Sequence, residues 1–261
     1  MTDYLIDTHA HLDFPELYER LDEVLDNAKK NNVKRIISIS TNLNKIDKII
    51  DLSNNNDEVF FTVGVHPNEV LKDSNNSNYD LIHNISKKNK CVGIGECGLD
   101  YHYGKESINK QKNSFITQIN VARDIGLPLI IHSRDADEDM IKILTSEYKK
   151  GSFKAILHCF SSGKKLALCG VELGFYISFS GIVTFNSAKL IQEVAMLVPK
   201  DKILVETDAP YLSPTPLRGT INEPKNCQIT AKFLSDIRKI DFNKFVGQLN
   251  MNSYKIFDKM F

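Results

Sequence analysis

Six side chains of types that bind metal ions stand at or beside the ends of short apolar runs in this sequence. They are His9, His11, Glu96, His132, His158 and Asp208, beside the runs YLID, CVGIGE, LPLIIH, KAILH and KILVETD. Such runs are typical of buried parallel strands, whose carboxyl ends carry the active face of an α/β barrel. Six converging ligands exceed what one tetrahedral ion takes, so they predict a site for two divalent metal ions. This pattern indicates a metal-dependent hydrolase.

Five of these residues divide between the two ions by their positions in the chain. His9 and His11 are two apart, which places both imidazoles on one side of an extended strand. Asp208 follows the last strand, which lies next to the first when a barrel closes, so it can complete the same ion. His132 and His158 end consecutive strands and therefore suit the second ion.

Glu96 can join the two ions, because a carboxylate has two oxygens that can each face a cation. Two such ions lower the pKa of a bound water toward ~7 and neutralise charge on a phosphoryl or acyl oxygen. The nitrogen-rich ligand set favours Zn, Mn, Co or Ni, whereas its two carboxylates keep Mg open. We assign catalytic roles to Glu96, Asp208 and His66, the last of which also follows a strand-like run.

The segments that must position these residues alternate regularly between strand-like and helical spacing. Apolar runs lie near residues 4–8, 33–39, 59–65, 91–96, 127–132, 153–158, 174–180 and 202–207. Helical spacing marks 16–31, 106–125, 187–198 and 225–239, with Gly126 as a stop signal, and 241–257 forms one more helix. The alternation predicts one α/β domain over 1–261, a (β/α)8 TIM barrel with the metal site at the carboxyl ends of its strands. The competing doubly wound sheet lacks its G-x-G-x-x-G turn after the first strand.

Two segments outside this alternation are predicted to be loops. The polar run 74–78 is typical of a tolerated surface loop. The Pro-rich segment 210–224 directly follows the last ligand-bearing strand, so we expect a stiff wall beside the site.

Composition and charge bear on the kind of partner and the compartment of the protein, but they do not select a substrate. The 33 basic and 33 acidic residues balance, so overall charge gives no support for nucleic-acid binding and any basic footprint must be local. The five cysteines are odd in number and scattered, which suggests reduced thiols and a cytoplasmic location. The chain shows neither a signal-peptide pattern nor an apolar run of the ~18 residues a membrane helix needs. Nothing in it indicates a membrane or an obligate protein partner.

The motifs together resemble the TatD family of metal-dependent deoxyribonucleases, which belongs to the amidohydrolase-like barrel superfamily. In order along the chain they are IDTHAHLDF, VGVHPNE, VGIGECGLDYHY, PLIIHSRDA, LHCFSSG, GFYISFSGIVTF and LVETDAPYLSPTPLRG with NEP. The resemblance implies hydrolysis of DNA phosphodiester bonds, with 3′→5′ exonuclease activity. It also implies His9, His11 and Asp208 on one metal, His132 and His158 on the other, and Glu96 shared. Many related barrel hydrolases bridge their metals with a carboxylated lysine on a strand. Here the matching position carries Glu96, so that modification is not expected.

Further residues are candidates for contacts with substrate. A histidine at position 66 could hydrogen-bond a phosphate or leaving oxygen, or could cap the turn before Pro67. Arg134 offers a bidentate guanidinium to a phosphate, or a salt bridge to Asp135 or Asp137. Lys164, Lys165 and Arg218 are further phosphate candidates, although the two lysines fit solvated surface charges better. We expect DNA bound at a strand end, with a short footprint.

The carboxylates and aromatic rings near the ligands have two interpretations each, and the two nearby thiols have one. Asp7 and Glu206 precede ligands by two residues, so they could orient imidazoles or serve as buried, paired carboxylates. Four aromatic residues lie in the predicted top loops, which follow the carboxyl ends of the strands: Tyr101, Tyr103, Phe160 and Tyr211. Their rings could stack on unpaired bases or pack within the protein. Cys97 and Cys159 directly follow ligands, which should turn them away from the site and argues against a catalytic cysteine.

Two alternatives to DNA hydrolysis stay open. A bimetallic hydroxide also attacks carbonyls, so an amidohydrolase or esterase, such as a deacylase of aminoacyl-tRNA, fits the same ligands. A non-catalytic binding module with a structural metal is the other. Structural zinc sites are usually closed by four Cys or His ligands, whereas this site shows no Cys ligand and lies at an accessible barrel mouth.

Overall fold

Eight parallel strands form the centre of the computed structural model, which describes residues 4–72 and 78–261. They are β1 (Leu5–Ala10), β2 (Val33–Ser38), β3 (Val59–Val63), β4 (Cys91–Asp100), β5 (Leu129–Arg134), β6 (Ala155–Leu157), β7 (Tyr176–Phe179) and β8 (Ile203–Val205). Each strand pairs with its neighbour in sequence. Most of the polar run 74–78 lies outside the described residues.

The sheet closes where the residues after β8 meet β1. Ala10 and Ala209 form a parallel bridge, and the backbone N–H of Asp208 donates to the carbonyl of His9 at 2.9 Å. The N–H of His11 donates to the carbonyl of Ala209 at 2.7 Å. The predicted barrel is confirmed, and the open sheet is excluded.

Helices cover the outside of this barrel. They are α1 (Pro15–Tyr18), α2 (Leu21–Lys30), α3 (Ile46–Asn55), α4 (Tyr79–Ser86), α5 (Ile108–Ile125), α6 (Asp137–Lys150), α7 (Lys164–Glu172), α8 (Lys189–Leu197), α9 (Cys227–Ile237) and α10 (Phe242–Ile256). Gly126 ends α5 at a φ of 76°, as its sequence position predicts. The predicted helix 16–31 is instead divided, because Arg20 leaves the helical conformation at φ −133°. None of the described helices is long and apolar enough to cross a membrane.

The hydrophobic core has two layers. An outer layer fills the space between strands and helices, and an inner one fills the barrel with residues such as Ile37, Val92 and Ile130. Phe257 and Met260, beyond α10, pack against the inner layer. The Lys259 ammonium donates to the carbonyls of residues 86 and 88, just before β4, so the C-terminal segment covers the amino ends of the strands. The opposite end is left for the site.

One expectation about the strands is wrong, because Glu96 lies within β4 rather than at its end. The pairing with β5 is irregular there, with Ile94 opposite Leu129 but Cys97 opposite Ile131. The strand then continues through Gly98, where an added Cβ would lie 2.1 Å from the His132 carbonyl oxygen. A glycine therefore lets β4 extend past the apolar run that predicted it.

Candidate metal centre

The structure brings the ends of β1 and β8 together around one oxygen of Glu96. Glu96 Oε2 lies 3.4 Å from His9 Nε2 and 3.8 Å from His11 Nε2. Asp208 Oδ1 lies 3.5 Å from each of these nitrogen atoms. The two Nε2 atoms are 3.4 Å apart. Three residues that the sequence predicts to share an ion thus face a common point.

The other oxygen of Glu96 faces the ends of β3, β5 and β6. Glu96 Oε1 lies 2.7 Å from His158 Nε2 and 3.1 Å from His132 Nδ1. His66 Nε2 lies 3.4 Å from the same oxygen. Glu96 therefore stands between two sets of imidazoles, and His66 lies in the second set with His132 and His158.

Charge in the centre is shared between carboxylates and imidazoles. Burial would raise the pKa of Glu96, but His158 and His66 help to hold that pKa well below its usual range. Burial would lower the pKa of His158, yet Glu96 and Glu206 raise it well above the usual value. Burial does lower the pKa of His9 and of His66. The carboxylate at the centre is ionised, so it attracts either protons on its imidazoles or metal cations in their place.

The residues present fit divalent metal ions. His158 Nε2 is buried and close to Glu96, but it has no hydrogen-bond partner among the described residues. Three sets of ligand atoms each lie within 4.8 Å of one another: those of His9, His158 and Glu206, those of His9, His11 and Glu96, and those of His66, Glu96 and His132. Imidazole nitrogen and carboxylate oxygen at such separations are the donors that Zn and similar ions take.

A carboxylate stands behind each imidazole at the ends of β5 and β6. Glu206 Oε1 lies 3.2 Å from His158 Nδ1 and accepts the N–H of Cys159 at 2.7 Å, so Glu206 fits the orienting role. Asp100 Oδ2 lies 3.3 Å from His132 Nε2. Sequence reasoning missed Asp100, although its place four residues after Glu96 on one strand was a usable signal.

Asp7 fits the structural role rather than the orienting one. Its carboxylate accepts hydrogen bonds from the Thr207 N–H at 2.9 Å and the Thr207 hydroxyl at 2.5 Å. It reaches the backbone N–H of His9, at 3.3 Å, rather than an imidazole. Burial raises the pKa of Asp7 to about 8. This carboxyl joins the first strand to the segment that carries Asp208.

A cavity of about 1340 Å³ opens above the centre. Arg134 lines it, and its guanidinium lies over the ring of Tyr103 instead of pairing with Asp135 or Asp137 in the described part of the chain. Cys159 also lines the cavity, so the expectation that it turns away is wrong. Its φ of 40° breaks the strand alternation on which that expectation rested. Burial raises the pKa of its thiol well above the usual value, which disfavours a nucleophilic thiolate.

The remaining cationic candidates lie elsewhere on the described surface. Lys164 borders a separate shallow groove between α7 and α8, and Lys165 is exposed nearby. The Arg218 guanidinium stacks over the ring of Phe185 at 4.2 Å. None of the three is among the described residues that line the cavity.

A parallel barrel with histidines and carboxylates gathered at its open end defines the class of metal-dependent hydrolases. The chain belongs to one family of that class, because the model of the TatD related DNase family matches residues 6–258.

Curated relatives and a solved structure agree with this assignment. The chain is 35% identical over 253 residues to the uncharacterized metal-dependent hydrolase YabD of Bacillus subtilis, covering 97% of this chain and 98% of that one. It is 36% identical over 259 residues to the uncharacterized metal-dependent hydrolase YcfH of Escherichia coli, covering 97% and 96%. The crystal structure of YjjV, a TatD homologue of Escherichia coli, superposes with a TM-score of 0.90 at 25% identity, covering 97% and 98%.

Proposed function

We propose that this chain is a two-metal deoxyribonuclease that removes nucleotides from DNA strand ends in the 3′→5′ direction. In this proposal residues 1–261 act as one hydrolase domain. The observation that carries it is the position of Glu96, whose two oxygens face separate sets of imidazoles, at 3.4 Å from His9 and 2.7 Å from His158. The matching family is described as DNase, which supports DNA as the substrate.

Six residues would hold the metal ions, with Glu96 shared between them: His9, His11 and Asp208 on one side, His132 and His158 on the other. Bound divalent cations would supply a water of lowered pKa and neutralise charge on the phosphate. Zn, Mn, Co, Ni or Mg could serve. The chain's own contribution is to fix the donor atoms in place and to keep Glu96 ionised.

His66 would donate a hydrogen bond to the phosphate or to the leaving oxygen. Its Nδ1 accepts the backbone N–H of Asn68 at 3.0 Å, so in the neutral imidazole the proton is on Nε2. That Nε2 is the atom that faces the centre, at 3.4 Å from Glu96. Burial, which lowers the pKa of His66, keeps the ring in this neutral form.

The charge of the cavity supports a strand end over a long duplex. Besides the proposed ligands Glu96 and Asp208, its described lining includes carboxylates at Glu69, Asp100, Asp135, Asp137, Glu138 and Asp139. Among these described lining residues, Arg134 alone is a lysine or an arginine. A duplex would bring many phosphates to such a surface, whereas a strand end brings few. The footprint we propose is therefore two or three phosphates, with Arg134 on one of them.

The test uses metal-reconstituted protein with 5′-labelled single-stranded DNA, duplex DNA, and a panel of amides and esters that includes an aminoacyl-tRNA. We expect a ladder of 3′-shortened DNA that EDTA abolishes. Glu96→Gln should abolish it too, whereas Glu69→Gln, a cavity carboxylate held by Lys72 and Asn42, should retain it. Efficient ester or amide cleavage with DNA left intact would overturn the nuclease proposal in favour of acyl hydrolysis.

A further inference from the structure

The four aromatic residues of the top loops differ in exposure and in contacts. Phe160 is buried, and Tyr101 donates its hydroxyl to Asp139 at 2.9 Å, so both pack within the protein. Tyr211 and Tyr103 line the cavity and are exposed, at 52% and 64%. The Tyr103 ring has the Arg134 guanidinium 4.7 Å from its centroid. Tyr103 is thus an aromatic face offered to the cavity.

The turn that carries Tyr103 is held firmly. Asp100 Oδ1 accepts the backbone N–H groups of His102 and Tyr103, each at 2.9 Å. Gln111 Nε2 donates to the carbonyls of Asp100 at 3.0 Å and Gly104 at 2.9 Å. An added Cβ at Gly104 would lie 2.2 Å from that nitrogen and would displace the Gln111 amide from these carbonyls. A large exposed ring therefore stands on a turn with little freedom to move.

The same carboxylate connects this turn to the metal centre. The second oxygen of Asp100 lies 3.3 Å from His132 Nε2 and accepts the side-chain amide of Asn68 at 3.0 Å. Arg134 lies two residues beyond His132 on β5, opposite Asp100 in the sheet. The turn that carries Tyr103, the backbone of Arg134 and a proposed metal ligand are consequently held close to one another.

We propose that Tyr103, supported by Arg134, determines specificity by stacking on an unpaired nucleobase next to the scissile phosphate. This inference rests on the proposed function and names its substrate class, a single-stranded DNA end. A base within a duplex is already stacked and paired, so its face is not available to Tyr103. A stacked base strengthens binding by about 5- to 150-fold whatever its identity, so the Tyr103 ring, a stacking platform, selects unpaired ends without selecting sequence.

A direct test uses the absence of tryptophan from the chain. Tyr103→Trp introduces a single indole whose fluorescence reports stacking. The probe is a phosphorothioate-linked tetrathymidylate, and its partner is an abasic tetramer with the same linkages. The control is Tyr18→Trp, because Tyr18 is 43% exposed and has the Lys48 ammonium 3.6 Å from its ring centroid, but is not among the described lining residues. We expect tetrathymidylate alone to quench the Tyr103→Trp variant, and neither probe to quench the control.

Kinetics separate this inference from the proposed function. Tyr103→Ala should lower the ratio of kcat/KM for tetrathymidylate to that for the abasic tetramer, both phosphodiester-linked, by roughly 10-fold. Tyr18→Ala should leave the ratio unchanged. An unchanged ratio in Tyr103→Ala, in a protein whose wild type shortens DNA, overturns the platform and leaves the nuclease standing. A wild type that neither binds nor cleaves these probes overturns both.

Discussion

The two sides of the metal centre hold their imidazoles by different means. On the β1/β8 side, His9 and His11 have buried Nδ1 atoms without a hydrogen-bond partner in the described part of the chain. Backbone hydrogen bonds across the barrel seam, and packing, hold these rings. On the β5/β6 side, the outer nitrogen atoms of His132 and His158 face Asp100 and Glu206.

Burial separates His9 from His132, but not His11 from His158, whose side chains are 5% and 3% exposed. The side chain of His9 is 0% exposed, whereas that of His132 is 20% exposed and lines the cavity. A carboxylate behind a ligand histidine fixes the ring and raises its basicity. The comparison indicates that the β5/β6 side uses carboxylates to fix its imidazoles, and the β1/β8 side relies on the fold itself.

The largest difference should appear when one imidazole is removed from each side. His9→Ala and His132→Ala should both lose metal and lower activity on the order of 10³-fold. His9→Ala also empties a fully buried site, so in EDTA it should destabilise the fold by about 2–4 kcal/mol, against less than about 1 for His132→Ala. Metal analysis and urea denaturation of the metal-free proteins measure this. Equal destabilisation by the two variants would contradict the division.

A smaller effect should follow from changes to the carboxylates behind the ligands. Asp100→Asn and Glu206→Gln should each weaken metal binding by about 10- to 100-fold. Asp7→Asn should change it by less than about threefold, since Asp7 contacts Thr207 and no imidazole. Competition with a chromogenic chelator gives these affinities. If Asp7→Asn matched Asp100→Asn, the two sides would not differ in how they fix their ligands.

The smallest effect concerns the cations. Two or three phosphate contacts predict that the logarithm of the affinity for single-stranded DNA falls with the logarithm of salt at a slope of about −1.4 to −2.1. Arg134→Ala should reduce that slope by about 0.7, because one contact is lost on the β5/β6 side. The Lys164→Ala/Lys165→Ala double variant should leave it unchanged, and a steep slope in the wild type would reject the short footprint.

The barrel was predictable because its strands are short apolar runs and its helices keep a regular period. The convergence of the six proposed ligands was predictable for the same reason, since parallel strands bring their carboxyl ends to one place. The end of α5 was predictable from a single residue, because Gly126 adopts a positive φ and ends the helix where expected.

The details that failed depend on contacts rather than on local pattern. The extension of β4 requires Gly98 to lie against the His132 backbone, and that approach exists only in the folded barrel. Cys159 was misplaced because strand alternation stops at Leu157, where β6 ends. Asp100 was missed because its importance comes from His132, on a neighbouring strand.

The seam between β1 and β8 has a consequence for synthesis of the chain. Asp7 and Thr207, which tie that seam, are 200 residues apart, whereas Asp100 and His132 are 32 apart and His158 and Glu206 are 48 apart. A ribosome releases the chain from its amino end, so His9 and His11 wait for most of the polypeptide before Asp208 emerges, and His158 waits for Glu206. Closing so long a loop is also the slower step in folding. The Asp100–His132 pair can therefore form early, whereas the segment that carries Glu206 and Asp208 completes both sides of the centre last.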